Sequence, residues 1–133
     1  MPIDETRILY TSIAVSLDTA YDFAHRPENF PSWAAGMSSS LHETEDGWIA
    51  ETPEGKATVR FSALNEHGVI DHRVQIEGKP EIYIPLRMIA QGDATLVELV
   101  LFRLPGMTDE QYEADVAAVT RDLATLKALL EQS

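Results

Sequence analysis

Apolar residues at Tyr112, Val116, Val119, Leu123, Leu126 and Leu130 follow one another in steps of four and three, which predicts a long helix over 108–132 with a single apolar stripe. Its start is well marked. Thr108 and Gln111 have capping-box spacing, Met107 and Tyr112 sit where a hydrophobic staple would, and Asp109 and Glu110 suit the positive end of the helix dipole. Pro105 and Gly106 separate this helix from what precedes it.

Elsewhere the pattern has a period of two. The segment 8–17 is rich in β-branched residues and puts Leu9, Ile13, Val15 and Leu17 on one face, so it reads as a strand. Asp18 then offers an N-cap for a short helix over 19–25, limited by Pro27. A second short helix over 28–35 admits Pro31 only in its first turn and ends at Gly36. Strand patterns follow near 37–45, 48–53, 56–64, 69–77, 81–90 and 95–104. The pairs Asp46-Gly47, Glu54-Gly55, His67-Gly68, Gly78-Lys79 and Gly92-Asp93 divide them, and such short connections make an antiparallel meander.

A two-residue turn at Gly92-Asp93 would pair Ala90 with Thr95, Met88 with Val97, Leu86 with Leu99 and Ile84 with Leu101 on an apolar face. The other face would pair Arg87 with Glu98, Pro85 with Val100 and Tyr83 with Phe102. A turn one residue longer would exchange the faces. The same alternation groups Ala57, Val59, Phe61 and Ala63, and matches them with Ile70, His72, Val74 and Ile76. The expected architecture is a single α+β domain over 1–133: a curved, seven-stranded antiparallel sheet, two short helices after its first strand, and the terminal helix closing its apolar face.

Composition narrows the chemistry. With 22 acidic against 10 basic residues the net charge is -12, which opposes nonspecific binding to a nucleic-acid backbone. The chain has no Cys, so disulfides, thiolate nucleophiles and zinc-thiolate sites are excluded; this is compatible with a reducing, cytoplasmic setting, which is the expected localisation. MPIDETR at the start holds no apolar run, and no stretch reaches the roughly 18 apolar residues of a membrane span. No glycine-rich phosphate loop, G-x-S-x-G or H-E-x-x-H occurs. His25, His42, His67 and His72 fall on different elements without ligand-like spacing, so neither a metal nor a cofactor is expected.

The run VSLDTAYDFAHRPENFPSW, Val15 to Trp33, resembles the opening of the START-like (SRPBCC) superfamily, with its aromatic pair, Tyr21 and Phe23, and a Pro-Glu-Asn turn leading to Trp33. The closing RDLATLKALLE, Arg121 to Glu131, is similar to that superfamily's last helix, and within it the best match is the bacterial polyketide cyclase- or dehydratase-like branch. The resemblance implies a helix-grip fold with a hydrophobic cavity between sheet and long helix, used by different members for lipids, hormones, polyketides or other apolar molecules. It brings no invariant catalytic motif.

Such a cavity would be lined by Ile13, Val15, Trp33, Phe61, His72, Val74, Leu86, Met88, Leu99 and Leu101 and closed by Val116, Val119 and Leu123. His72, the polar member, is either a general base or ligand-orienting group, or a core histidine bonded to backbone or water. Trp33 and Trp48 either wall the pocket or belong to the core. Arg87 with Glu98 is expected as a surface ion pair, unless the register is opposite, when it would face the cavity. Tyr83, Val100 and Phe102 form an outer patch suited to a homodimer, and Arg60, Arg73 and Arg103 read as solvated strand positions. The expected function is binding of a small apolar or amphipathic ligand. The alternatives are a cyclase or dehydratase using His72, and a protein-interaction module acting through the outer sheet face.

Overall fold

The computed structural model describes residues 5–34, 40–52 and 54–132. Among them lie eight strands: β1 (Thr6–Ile13), β2 (His42–Thr44), β3 (Gly47–Thr52), β4 (Gly55–Phe61), β5 (His72–Ile76), β6 (Ile82–Ile84), β7 (Leu86–Gln91) and β8 (Ala94–Phe102). Two short helices, α1 (Leu17–Ala24) and α2 (Phe30–Trp33), follow β1, with a 3-10 turn at Pro27–Asn29 between them, and α3 (Asp109–Glu131) ends the chain. All strand pairings are antiparallel, in the orders β1-β8-β7 and β2-β3-β4-β5-β6. This is the helix-grip arrangement, and among the described residues no helix is long and apolar enough to cross a membrane.

The count is eight rather than seven because the segment expected as one strand over 81–90 divides at Pro85. Proline has no N–H to continue a ladder. On one side of it Ile84 pairs with His72 of β5, and on the other Leu86 pairs with Leu99 of β8. The hairpin register is therefore as expected from Gln91 back to Leu86, whereas Ile84 with Leu101 and Tyr83 with Phe102 do not pair. A single bond from Val100 N–H to the Pro85 carbonyl, 3.0 Å, carries the line across the break.

β1 stops at Ile13, because Ser16 rather than Asp18 caps α1: its Oγ accepts from Thr19 N–H at 3.3 Å, which makes Leu17 the first helical residue instead of the last of a strand. Pro31 lies in the first turn of α2, while the expected stop at Gly36 and the start of the strand at 37 fall outside the described residues. β4 ends at Phe61 and Ala63 is exposed, since Asn65 organises the following loop. Its Oδ1 accepts from the His67 and Val69 N–H groups, and its Nδ2 donates to the Ala63 and Val69 carbonyls.

The cap of α3 is the predicted one: Thr108 Oγ1 accepts from Gln111 N–H at 3.1 Å and Gln111 Oε1 accepts from Thr108 N–H at 2.9 Å. The helix packs on β1 and α2 and sends Val119, Leu123, Leu126 and Leu130 into the core. Tyr112, also buried, donates its hydroxyl to the Leu101 carbonyl at 2.8 Å.

Candidate functional site

Most of the residues expected to line a cavity meet, and they meet as packed core. Ile13, Trp33, Leu86, Met88, Leu99, Val119 and Leu123 are buried in one cluster with His72 against it, and the half-buried Val15, Phe61, Val74 and Leu101 pack onto its margin. Val116 is half-buried outside that cluster.

The centre of the cluster is aromatic. α2 is placed by the 3-10 turn before it and held there by Asn29, whose Nδ2 donates to the Phe23 carbonyl at 3.0 Å. It therefore delivers Phe30 and Trp33, three residues apart and on one face, into the core. Phe30 touches Trp33 (ring centroids 5.0 Å), Phe61 (4.8 Å) and His72 (5.4 Å), and Trp48 meets the edge of Phe61 at 6.4 Å. Phe30, the hub, was absent from the expected lining; its spacing from Trp33 was the available signal.

Two polar groups are enclosed here. His72 is 7% exposed, and its Nδ1 lies 3.1 Å from the Ile70 carbonyl, so the proton belongs on Nδ1 and Nε2 is the acceptor nitrogen. Burial pushes its pKa below the ordinary value, against a smaller upward pull from the Ile70 carbonyl and Asp71. The ring is neutral at pH 7. Trp33, 3% exposed, holds its indole Nε1 buried with no acceptor among the described residues.

The expected pairing of Arg87 with Glu98 is not made. The two are cross-strand neighbours, yet the Arg87 guanidinium turns to Asp71, with Nε at 3.2 Å and Nη2 at 2.9 Å. Asp71 also accepts from the Tyr83 hydroxyl at 2.6 Å and from Leu86 N–H at 2.9 Å. Burial alone would raise its pKa, but these donors hold it below the ordinary carboxylate value. Arg73 stacks over the Tyr83 ring at 4.3 Å, and Glu81 bridges Arg60 and Arg73, so these two arginines are exposed, as expected, and also paired; Arg103, less exposed, pairs with Glu5 and Asp109. A cleft of about 430 Å3 opens beside this network. The outer patch is divided: Tyr83 belongs to the five-stranded sheet, Val100 and Phe102 to the other.

A second hollow, a groove of about 550 Å3, runs between β1 and α3, lined by Ile8, Leu9, Tyr10, Thr11, Thr120, Leu123, Ala124, Lys127, Ala128 and Glu131. Of the expected lining only Leu123 reaches it. Among the described residues no three His, Asp or Glu side chains converge as a metal centre would require.

No protein-family model and no curated protein sequence matches the chain. Solved structures do. Protein XoxI from Bacillus cereus is similar over 94% of each chain at 16% identity, with a TM-score of 0.73. A START superfamily protein from Mycobacterium smegmatis matches 96% of this chain and 97% of its own, at 16% identity and a TM-score of 0.63. CalU16 from Micromonospora echinospora matches 94% of this chain and 73% of its own, at 16% identity and a TM-score of 0.65. Likeness at this identity shows the fold, which is that of the START-like (SRPBCC) proteins.

Proposed function

From a START-like fold as premise, we propose that the chain binds a small apolar or amphipathic molecule, lipid-, polyketide- or aromatic-like, between the sheet and α3. The observation that carries this reading is the buried Trp33 Nε1 with no acceptor among the described residues, in a cluster with Phe30, Phe61 and His72. Leaving such a donor unpaired costs about 1–3 kcal/mol, and a ligand oxygen would relieve that cost. The aromatic rings would hold the apolar body, and His72 Nε2 would accept from a ligand hydroxyl.

Thermal shift with a panel of lipophilic aromatic and acyl compounds tests it. A ligand at about 100 times its Kd adds about 2.7 kcal/mol of stability. Oxygen-bearing compounds should raise the Tm of the native chain and lose most of that effect in Trp33→Phe. No stabilisation by any member of the panel overturns the reading.

A second reading, a cyclase or dehydratase with His72 as general base, is favoured by one feature: the ring is held neutral with its proton turned to the Ile70 carbonyl on Nδ1, so that Nε2 is the basic nitrogen, the form a base needs. It requires turnover of a polyketide-like ketone that His72→Ala abolishes while the far-ultraviolet circular dichroism stays native. Turnover that survives His72→Ala removes it.

A further inference from the structure

β1 is the outermost strand of its sheet. The two-residue turn makes Gln91 and Ala94 a hydrogen-bonded pair, so along β8 Thr95, Val97 and Leu99 direct their peptide groups toward β1. Their partners Ile13, Thr11 and Leu9 are satisfied in that ladder, and the intervening Ile8, Tyr10 and Ser12 point theirs away from the sheet. The surrounding bonds agree with this phase: Val100 N–H goes to Pro85 on the far side of β8, while Lys127 Nζ reaches the outward Ser12 carbonyl and Glu131 takes the Ala14 N–H at 2.9 Å. α3 thus blocks the edge beyond Ser12. Among the described residues nothing takes the outward peptide groups of Ile8 and Tyr10, residues that are 59% and 71% exposed.

An open edge of this kind is a template for another strand. Beneath it lies the groove of about 550 Å3, where α3 presents Ala124 and Ala128. Positions four apart on a helix are about 6 Å apart along its axis. Alternate residues of a strand are about 6.6 Å apart, so inward side chains of an added strand would find room over these two alanines in turn.

Charge decides what that strand belongs to. The chain carries -12 overall, and Glu98, directly across β8 from Tyr10, makes no ion pair among the described residues. The nearby cations Arg7 and Lys127 are already engaged by Glu113 and Glu131. A second copy would bring another -12 against this edge. We propose that the edge of β1 accepts an extended, basic segment of a partner protein as an added β-strand. Its apolar residues face Ala124 and Ala128, and its Lys or Arg residues lie on the outer face beside Tyr10 and Glu98.

The probe is acetyl-(Lys-Val)4-amide, followed by amide exchange in the full chain. It should protect the Ile8 and Tyr10 amides about tenfold or more. The protection should weaken as salt rises from about 0.05 to 0.5 M, and should be absent with (Glu-Val)4 or with the Lys-Val peptide N-methylated at alternate residues. Tyr10→Pro removes an outward N–H without touching the ladder to β8 and should abolish the effect; Ala124→Lys, at an exposed helical position, should do the same and stands in for it if the proline variant does not fold. Unprotected Ile8 and Tyr10 amides, or equal protection by (Glu-Val)4, overturn the proposal. So does a dimer in sedimentation that Tyr10→Pro or Ala124→Lys converts to monomer, which would make the occupant a second copy of this chain.

Discussion

Gly68 decides whether the loop between β4 and β5 can reach β7. Its φ is +71°, and a Cβ placed on it would lie 2.2 Å from the Met88 carbonyl oxygen, where Met88 N–H already donates to the Gly68 carbonyl at 2.8 Å. Backbone strain and clash therefore coincide, and Gly68→Ala should lower stability by about 3 kcal/mol, read from urea unfolding. His72 gives the residue scale a pH signature. Burial lowers its folded pKa below the ordinary 6.5, so in the window between that folded value and 6.5 the unfolded chain binds a proton that the folded one does not. Stability is complete above 6.5 and falls with acidification through that window. In His72→Gln the fall should be absent relative to the native chain, which shows as a flatter plot of unfolding free energy against pH from about 7 to 5. An unchanged slope would mean that His72 is not kept neutral by the fold.

Elements announced by local chemistry were legible in the sequence, and those decided by distant partners were not. α3 was readable end to end because its cap and its stripe are written within itself. Thr108→Ala should cost about 1 kcal/mol in chemical denaturation. Along the stripe the cost of truncation should follow burial: Leu126→Ala, with no exposure, should lose about 2–5 kcal/mol, and Val116→Ala, half-buried outside the main cluster, much less. The hairpin register was readable because Gly92-Asp93 fixes it. Pro85 was misjudged as an ordinary outer-face position: alternation continues through a proline in the sequence, but hydrogen bonding does not, and the strand changes partner there. The site was legible only in part for the same reason. Side-chain period put His72 on the core face and the resemblance brought in Trp33, whereas Phe30 as hub, Asp71 as the partner of Arg87, and the open edge of β1 depend on which segments meet in space.

At the scale of the whole molecule, the two sheets are joined at that break by backbone bonds from Ile70 N–H to the Leu86 carbonyl and from Met88 N–H to the Gly68 carbonyl, and Asp71 adds a side-chain clamp across it. From the start of β5 it receives Tyr83 on one side of Pro85 and Leu86 and Arg87 on the other, with its side chain only 11% exposed. Removing the carboxylate leaves a backbone donor and a tyrosine hydroxyl without their acceptor at Pro85, where the strand changes partner. Asp71→Ala should therefore cost about 2–3 kcal/mol. Arg87→Ala, which deletes an exposed cation and spares the bonds from Leu86 and Tyr83, should cost about 1 kcal/mol or less. Because one carboxylate serves both, the double variant should be less destabilised than the sum of the two. The pH dependence separates this junction from His72. The donors hold the folded pKa of Asp71 below 3.8, so its contribution is present above 3.8 and is lost as pH falls through the folded value, well below the window of His72. Asp71→Asn should accordingly remove the acid-side loss and leave the slope between 5 and 7 as in the native chain. Equal costs for Asp71→Ala and Arg87→Ala would show instead that the ion pair, and not the bonds from Leu86 and Tyr83, makes the clamp.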